Sequence, residues 1–265
     1  MNTGSYNFDT LHNTDFQADR LAQQARATRT IEENLLRATG LKEDHDVLEI
    51  GCGPGHVSDL LATLAPQGSL HAVEPSATLA RAVKDNVRTP PARGLFVHEA
   101  TGDRLPLPDQ SIDFAYARFV LQHIPNIGAV LRETLRVLRP GGRLCIVDSD
   151  DGLIVIHPPE PHLSQILAQA QQAQAAQGGD RFIGRKLQAH LLAHGFSDAR
   201  SRIVSMTSSE LPFSILFNIL FGYKASHMGQ DIDLSALAES LTPEVTSGQR
   251  LIAAGVFIVT GIRPV

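Results

Sequence analysis

Val47-Leu-Glu-Ile-Gly-Cys-Gly-Pro-Gly55 reads as a strand that runs straight into a glycine turn, and VSDLLATL (57–64) continues it as a helix. The glycines are spaced G-x-G-x-G. They let the chain turn sharply and approach a ligand with no Cβ in the way. The N–H groups that open the following helix have no partner inside it. A dinucleotide fingerprint, G-x-G-x-x-G, would need glycine at position 56, which is His56. Glu49, just before the turn, would repel a pyrophosphate but suits a ligand that carries an ammonium group.

Outward from this turn, short apolar runs alternate with helical periodicity. Residues 46–50, 69–74 (SLHAVE), 94–98 (GLFVH), 112–117 (IDFAYA) and 143–148 (RLCIVD) read as strands. Helices are expected over 57–64, 76–87 and 126–138. Strands alternating with helices imply right-handed crossovers and a parallel sheet covered on both faces. Glu74 closes the second strand 23 residues after Gly51, near the ~20-residue spacing at which an acid accepts both hydroxyls of a ribose.

Upstream, Thr14 to Gln17 forms a T-x-x-Q capping box, with Asp15 adding negative charge at the helix start. Leu21, Ala25, Thr28, Ile31 and Leu35 then recur at helical spacing until Gly40, which predicts a helix over about 15–39. Downstream, 161–177 is an Ala/Gln-rich helix closed by Gly178-Gly179, and 184–194 a second one. Residues 199–206 and 256–262 read as two more strands separated by a helical insertion over 207–253. The expected fold is α/β, a Rossmann-like doubly wound seven-stranded sheet, with five parallel strands plus a hairpin-like pair at the edge. One domain, 1–265, is expected: an N-terminal helical lid (1–40), a ligand-binding half (45–150) and an insertion (207–253) that serves as substrate pocket or lid.

Composition narrows the class. Among 265 residues, 23 Lys+Arg face 28 Asp+Glu, a net charge of −5, and 43% are hydrophobic, so a real core can form. Two cysteines, Cys52 and Cys145, leave no disulfide framework and fit a reducing compartment. The start of the chain has no basic segment followed by an apolar core, and FSILFNILFGY (213–223) is far below the roughly 20 residues a membrane span needs. The cytoplasm is the expected location. The acidic balance, and the absence of an N-P-P-F-like or D-P-P-Y-like tetrapeptide after the fourth strand, argue against a nucleic-acid substrate.

VLEIGCGPG (47–55), HAVEPS (71–76), LPLPDQSIDFAYARFVLQHIPN (105–126) and LRVLRPGGRLCIVD (135–148) together resemble the class I S-adenosylmethionine-dependent methyltransferases, in their ubiquinone/menaquinone methyltransferase-like small-molecule branch. The resemblance covers about residues 45–150. It implies S-adenosylmethionine as cofactor. Glu49, Gly51, Cys52 and Gly53 would lie along its methionine end, Glu74 would hold the ribose hydroxyls and Pro75 would border the adenine. Gly102 and Asp103 would meet the adenine edge, although the usual adenine-binding Asp position holds Thr101. Arg118 and Phe119 would flank the methionine moiety, with His123 facing the methyl group or the substrate.

Methyl transfer from a sulfonium is an in-line displacement that position alone accelerates strongly. A base is needed only if the acceptor must lose a proton. His123 is the candidate, since imidazole titrates near neutrality; the competing reading is that it caps the loop or packs under the cofactor. His190 and His194 have metal-site spacing, i and i+4, but no third ligand, so a solvated helix face is favoured and no metal is expected. Asp148-Ser-Asp-Asp151 reads as a loop lining the substrate entrance, Cys52 as turn filler and Cys145 as part of a buried strand. The apolar run 213–223 either walls the pocket, packs on the sheet or meets a second copy in a homodimer. Two other functions remain open at this point: a non-catalytic binding protein on the same fold, and a nicotinamide-dependent oxidoreductase, which His56 disfavours.

Overall fold

The computed structural model describes Ser5, residues 14–224 and residues 233–265, the first three residues of the opening helix by backbone alone. The Thr14 half of the expected capping box therefore lies outside the described side chains, and the Gln17 amide donates to the Gly222 carbonyl and accepts from Arg20. The elements follow in the order α1 (Thr14–Ala38), β1 (Asp46–Ile50), α2 (His56–Leu64), β2 (Ser69–Glu74), α3 (Ala77–Asn86), β3 (Leu95–Glu99), β4 (Ile112–Arg118), α4 (Ile127–Val137) and β5 (Leu138–Ser149). Then come β6 (Val155–His157), α5 (Pro161–Ala176), α6 (Leu187–Ala193), β7 (Ser197–Thr207), α7 (Phe213–Phe221), α8 (Leu234–Thr246) and β8 (Leu251–Ile262).

Local chemistry sets several boundaries. Ser76 caps α3 by accepting from the Leu79 N–H, and Asn126 caps α4 by accepting from Ala129. Glu160 does the same for α5 through Leu163, with Pro161 in the first turn, where its missing N–H costs nothing.

Strands β3, β2, β1, β4 and β5 lie side by side in that order and all parallel. β8 runs antiparallel to β5, and β7 antiparallel to β8 on its far edge. The expected architecture is present with one strand more than the seven counted from sequence. Ala253 pairs with Thr207 of β7 on one side and with Val155 of β6 on the other, so β6 continues the edge that β5 occupies further along β8. Three residues before a Pro-Pro pair carry no alternation to read, which is why β6 escapes sequence inspection, and β8 starts at 251 rather than 256 because it reaches out to meet it.

Alternate residues of each strand face opposite sides. Val47, Leu70, Ala72, Phe114, Tyr116 and Cys145 join one core with α1 and α2. Leu48, Ile50, Val73, Ala115, Leu144 and Ile146 join the other with α4 and α6. A third cluster gathers α5, α7, α8 and the start of β8 around Leu216, Phe217, Phe221 and Ile252. The apolar face of 213–223 is thus buried within the chain. Among the described residues, no helix is long and apolar enough to cross a membrane.

The chain winds from β1 outward through β2 to β3, then returns to β4 on the other side of β1. Helices leave β1 and β4 in opposite directions there. A crevice opens at the carboxyl ends of the two strands, the position where doubly wound sheets bind ligands.

Candidate active site

A cavity of about 560 Å³ occupies that crevice. The residues expected to hold the cofactor or act on the acceptor lie on its wall: Glu49, Gly51, Cys52, Gly53, Glu74, Pro75, Gly102, Asp103, Arg118, Phe119 and His123, together with Thr101.

The glycine turn is built for two different reasons. Gly51 has φ 67° and its N–H donates to the Val73 carbonyl at 2.8 Å; a Cβ there would stand 2.6 Å from Cγ2 of Val120. Gly51 is needed for packing. Gly53 has φ 55°, and a Cβ there would meet nothing within 4 Å. Its bare backbone is presented to the cavity.

Two acids flank this turn. Glu74 is buried, and its carboxylate accepts the Gly53 N–H at 2.9 Å on Oε2 and the Ser76 N–H at 3.0 Å on Oε1. Each carboxylate oxygen can accept more than one hydrogen bond, so an oriented carboxylate of this kind suits a pair of vicinal hydroxyls. Glu49 is buried in β1 and accepts a hydrogen bond from the Ser58 hydroxyl. Burial pushes its carboxyl up to about 8, so without a cation the acid is mostly neutral. An ammonium placed against it would let it ionise. Cys52 is buried, and desolvation with Glu49 and Glu74 nearby lifts its thiol well above the ordinary range, which leaves it unreactive.

The end of β4 is strained and clamped. Phe119 adopts φ 56°, left-handed for a non-glycine residue, held by its N–H to the Val147 carbonyl at 2.8 Å. The Arg118 guanidinium lies 5.0 Å from the Phe119 ring and turns to α1, where Nε is 2.5 Å from Oε1 of Glu32 and Nη2 donates to Thr28 at 2.9 Å. Tyr116 also donates to Glu32, at 3.1 Å. The helix α1 is pinned over the crevice by this buried clasp, and its Arg20, Gln24 and Thr28 form part of the cavity wall.

His123 ends a short 3-10 turn, Leu121–His123. Its Nδ1 is 2.9 Å from Ser5 Oγ and 3.4 Å from Gln174 Nε2, and its ring meets Tyr223 edge-on at 5.3 Å between centroids. The backbone closes the same corner: Ser5 N–H donates to the His123 carbonyl at 2.9 Å and Tyr223 Oη to the Ser5 carbonyl at 2.9 Å.

The loop after β5 reaches the cavity as expected, with Ser149, Asp150 and Asp151 on the wall. Asp148 is buried instead, pushed up to about 7 by desolvation although the Ser149 and Gln122 N–H groups donate to it. Asp150 pairs with Arg185. No group of three metal-ligating side chains occurs among the described residues. His190 lies on α6 and His194 caps its end, both away from the cavity and half-buried, with His194 packed against Gly128 of α4. A Cβ on that glycine would be 2.6 Å from His194 Nε2.

Sequence reasoning missed a buried charged group on the cavity wall formed by Arg20, Asp151, Arg181 and Lys224. Arg181 holds Asp151 with Nη2 at 2.8 Å and Nε at 3.1 Å, and Lys224 Nζ stands 3.3 Å from Oδ1 of the same acid. These residues come from four distant parts of the chain with no shared spacing, so no motif announces them.

Residues 48–146 match the family described as methyltransferase domain. A demethylmenaquinone methyltransferase of Listeria welshimeri is 30% identical over 105 residues, 39% of this chain and 44% of that protein. An uncharacterized 37.1 kDa protein in transposon Tn4556 of Streptomyces fradiae is 31% identical over 185 residues, 69% of this chain and 51% of that protein. The chain therefore spans about half the length of the curated relatives it matches. A solved SAM-dependent methyltransferase of Methanosarcina mazei shares the fold, with a TM-score of 0.55 at 17% identity, covering 87% of this chain and 97% of that one.

Proposed function

We propose that this chain, whose residues 48–146 match the methyltransferase domain family, transfers a methyl group from S-adenosylmethionine to a small-molecule acceptor. The observation that carries the reading is the pairing of two buried acids around one glycine turn: Glu49 where a cationic amino-acid end would lie, and Glu74 where a ribose would. When bound, the cofactor supplies an electrophilic methyl on a sulfonium.

The rest is done by the chain. Glu49 and the Gly51–Gly53 backbone hold the methionine end, Glu74 takes the ribose hydroxyls, and Pro75, Gly102 and Asp103 border the adenine. Helices α1 and α7 act as the lid, excluding water and holding the acceptor in line, which supplies most of the acceleration. In this reading Ser5 and Gln174, both within hydrogen-bond distance of Nδ1, hold the His123 ring in place, and the ring acts through Nε2. That nitrogen takes the proton of an acceptor that must lose one.

Calorimetric titration with S-adenosylmethionine and with NAD tests the cofactor. The first is expected to bind and the second not, with affinity for the first falling at least about 100-fold in Glu74→Ala, because the ribose acceptor and the anchor of Gly53 go together. Unchanged binding in that variant overturns the reading. A labelled-methyl screen against phenols, quinone precursors and hydroxylated metabolites tests the chemistry. Loss of turnover in His123→Ala at unchanged cofactor affinity supports the base role, and unchanged turnover overturns it.

A further inference from the structure

Asp151, Arg181 and Lys224 form a buried charged group on the cavity wall that the cofactor reading does not use. Lys224, at the end of α7, is 4% exposed and sits on the cavity wall. Its Nζ donates to the Leu220 carbonyl at 2.8 Å and reaches Asp151 at 3.3 Å. Arg181, also buried, takes Asp151 with two nitrogens and gives Nη1 to Gln122 Oε1 at 2.6 Å, beside His123. One carboxylate thus serves two buried cations. Asp150, the next acid along, is committed to Arg185 by two bonds, at 2.6 and 2.7 Å.

Desolvation is the main cost of burying these cations. It pulls Lys224 down to about 7, with Arg181 and Arg20 adding repulsion and Asp151 opposing them. A buried cation with incomplete compensation is costly unless something anionic arrives. The neighbouring wall is apolar, formed by Leu216, Ile219 and Leu220 of α7 and Ile154.

We propose that Lys224 and Arg181 form a subsite for a carboxylate group on an otherwise apolar acceptor, anchoring it against the wall that α7 contributes to the cavity. This rests on the methyl-transfer reading for the word acceptor, though the subsite itself does not. Protonated Lys224 and Arg181 carry one positive charge more than the Asp151 they share, which a carboxylate matches, while nearby Arg20 donates to Gln17 and Gln24. Arg181 is already engaged with Asp151, so Lys224 makes the first contact. Its proton then stays on: the arriving anion raises the ammonium back towards its ordinary range, and binding near neutrality takes up a proton from solvent.

The test is calorimetric titration of the protein, with and without S-adenosylhomocysteine, using octanoate, octyl phosphate and 1-octanol as probes. Octanoate is expected to bind at least ten times more tightly than 1-octanol, and at pH 7 to take up about half a proton, read from the dependence of the heat on buffer ionisation enthalpy. Lys224→Met should bring the two affinities within about threefold. Lys224→Arg should keep the preference and lose the proton uptake, since guanidinium stays charged. Equal binding of octanoate and octanol by the wild type, or an undiminished preference in Lys224→Met, overturns the subsite. Tighter binding of octyl phosphate than of octanoate overturns the assignment to a carboxylate. S-adenosylhomocysteine binding without any octanoate preference refutes the subsite alone. Octanoate preference without S-adenosylhomocysteine binding refutes the methyl-transfer reading alone.

Discussion

Glu49 concentrates the chemistry of the site in one side chain. Its carboxyl, buried beside Ser58, is raised from the ordinary range to about 8, so the empty protein holds its proton at neutral pH. A folded-state value above the unfolded one means the group contributes stability below the unfolded value, and that contribution is lost as pH rises through about 8. A cationic ligand reverses the preference. Cofactor binding at pH 7 is therefore expected to expel a proton, with affinity rising from pH 5 towards 8. Glu49→Gln should remove that slope, measured as the difference between the two proteins so that the ligand's own amine cancels. Gly51 makes the complementary point about shape. Gly51→Ala would put a methyl 2.6 Å from Val120 at φ 67°, so we expect a loss of about 2 kcal/mol or more in denaturant unfolding, whereas Gly53→Ala should lose cofactor affinity first. Both glycines were visible in the sequence as one motif, yet their different duties were not, because only Val120, 69 residues away, distinguishes them.

Helix α1 packs into the core through Ala25, Leu35 and Leu36, and one buried polar cluster clasps it to the end of β4. Arg118 and Glu32 form a buried pair at 2.5 Å, with Thr28 and Tyr116 satisfying the remaining polar atoms. Removing one partner of such a pair leaves the other charge stranded, which costs about 3–5 kcal/mol. Glu32→Gln is accordingly expected to lower the melting temperature and to increase proteolysis near the N-terminal helix. Cofactor affinity should fall with it, because Arg20, Gln24 and Thr28 leave the wall. A variant that melts like the wild type and is cut no faster would show that α1 is anchored elsewhere. The helix itself was legible as a stripe of Leu21, Ala25, Thr28, Ile31 and Leu35, and so were the five parallel strands, because period and punctuation are local properties. The clasp was not: Glu32 and Arg118 are 86 residues apart, and their pairing depends on how two elements dock. The same holds for β6, three residues long, whose existence is decided by the overhang of β8.

Taken whole, the molecule has a sheet with a core on each face and a third, separate core around Leu216, Phe217 and Phe221 where α5, α7 and α8 meet. Small separate cores open at lower free energy than large ones. Phe217→Ala is expected to speed amide exchange in α5, α7 and α8 and to weaken acceptor binding, while β1 and β4 keep their protection and the cofactor its affinity. Uniform acceleration across the sheet would show a single cooperative unit instead. The placement of β8 bears on how the protein is made. It is the last of the described strands in sequence order, but it lies inside the sheet, between β5 and β7. Until residues 251–262 have left the ribosome, the outer edge of β5 and all of β7 have no pairing partner, and a nascent chain presents two adhesive edges to its neighbours. Slow translation between β5 and β8 would prolong that exposure, and a chaperone that shields strand edges should raise the yield of folded protein.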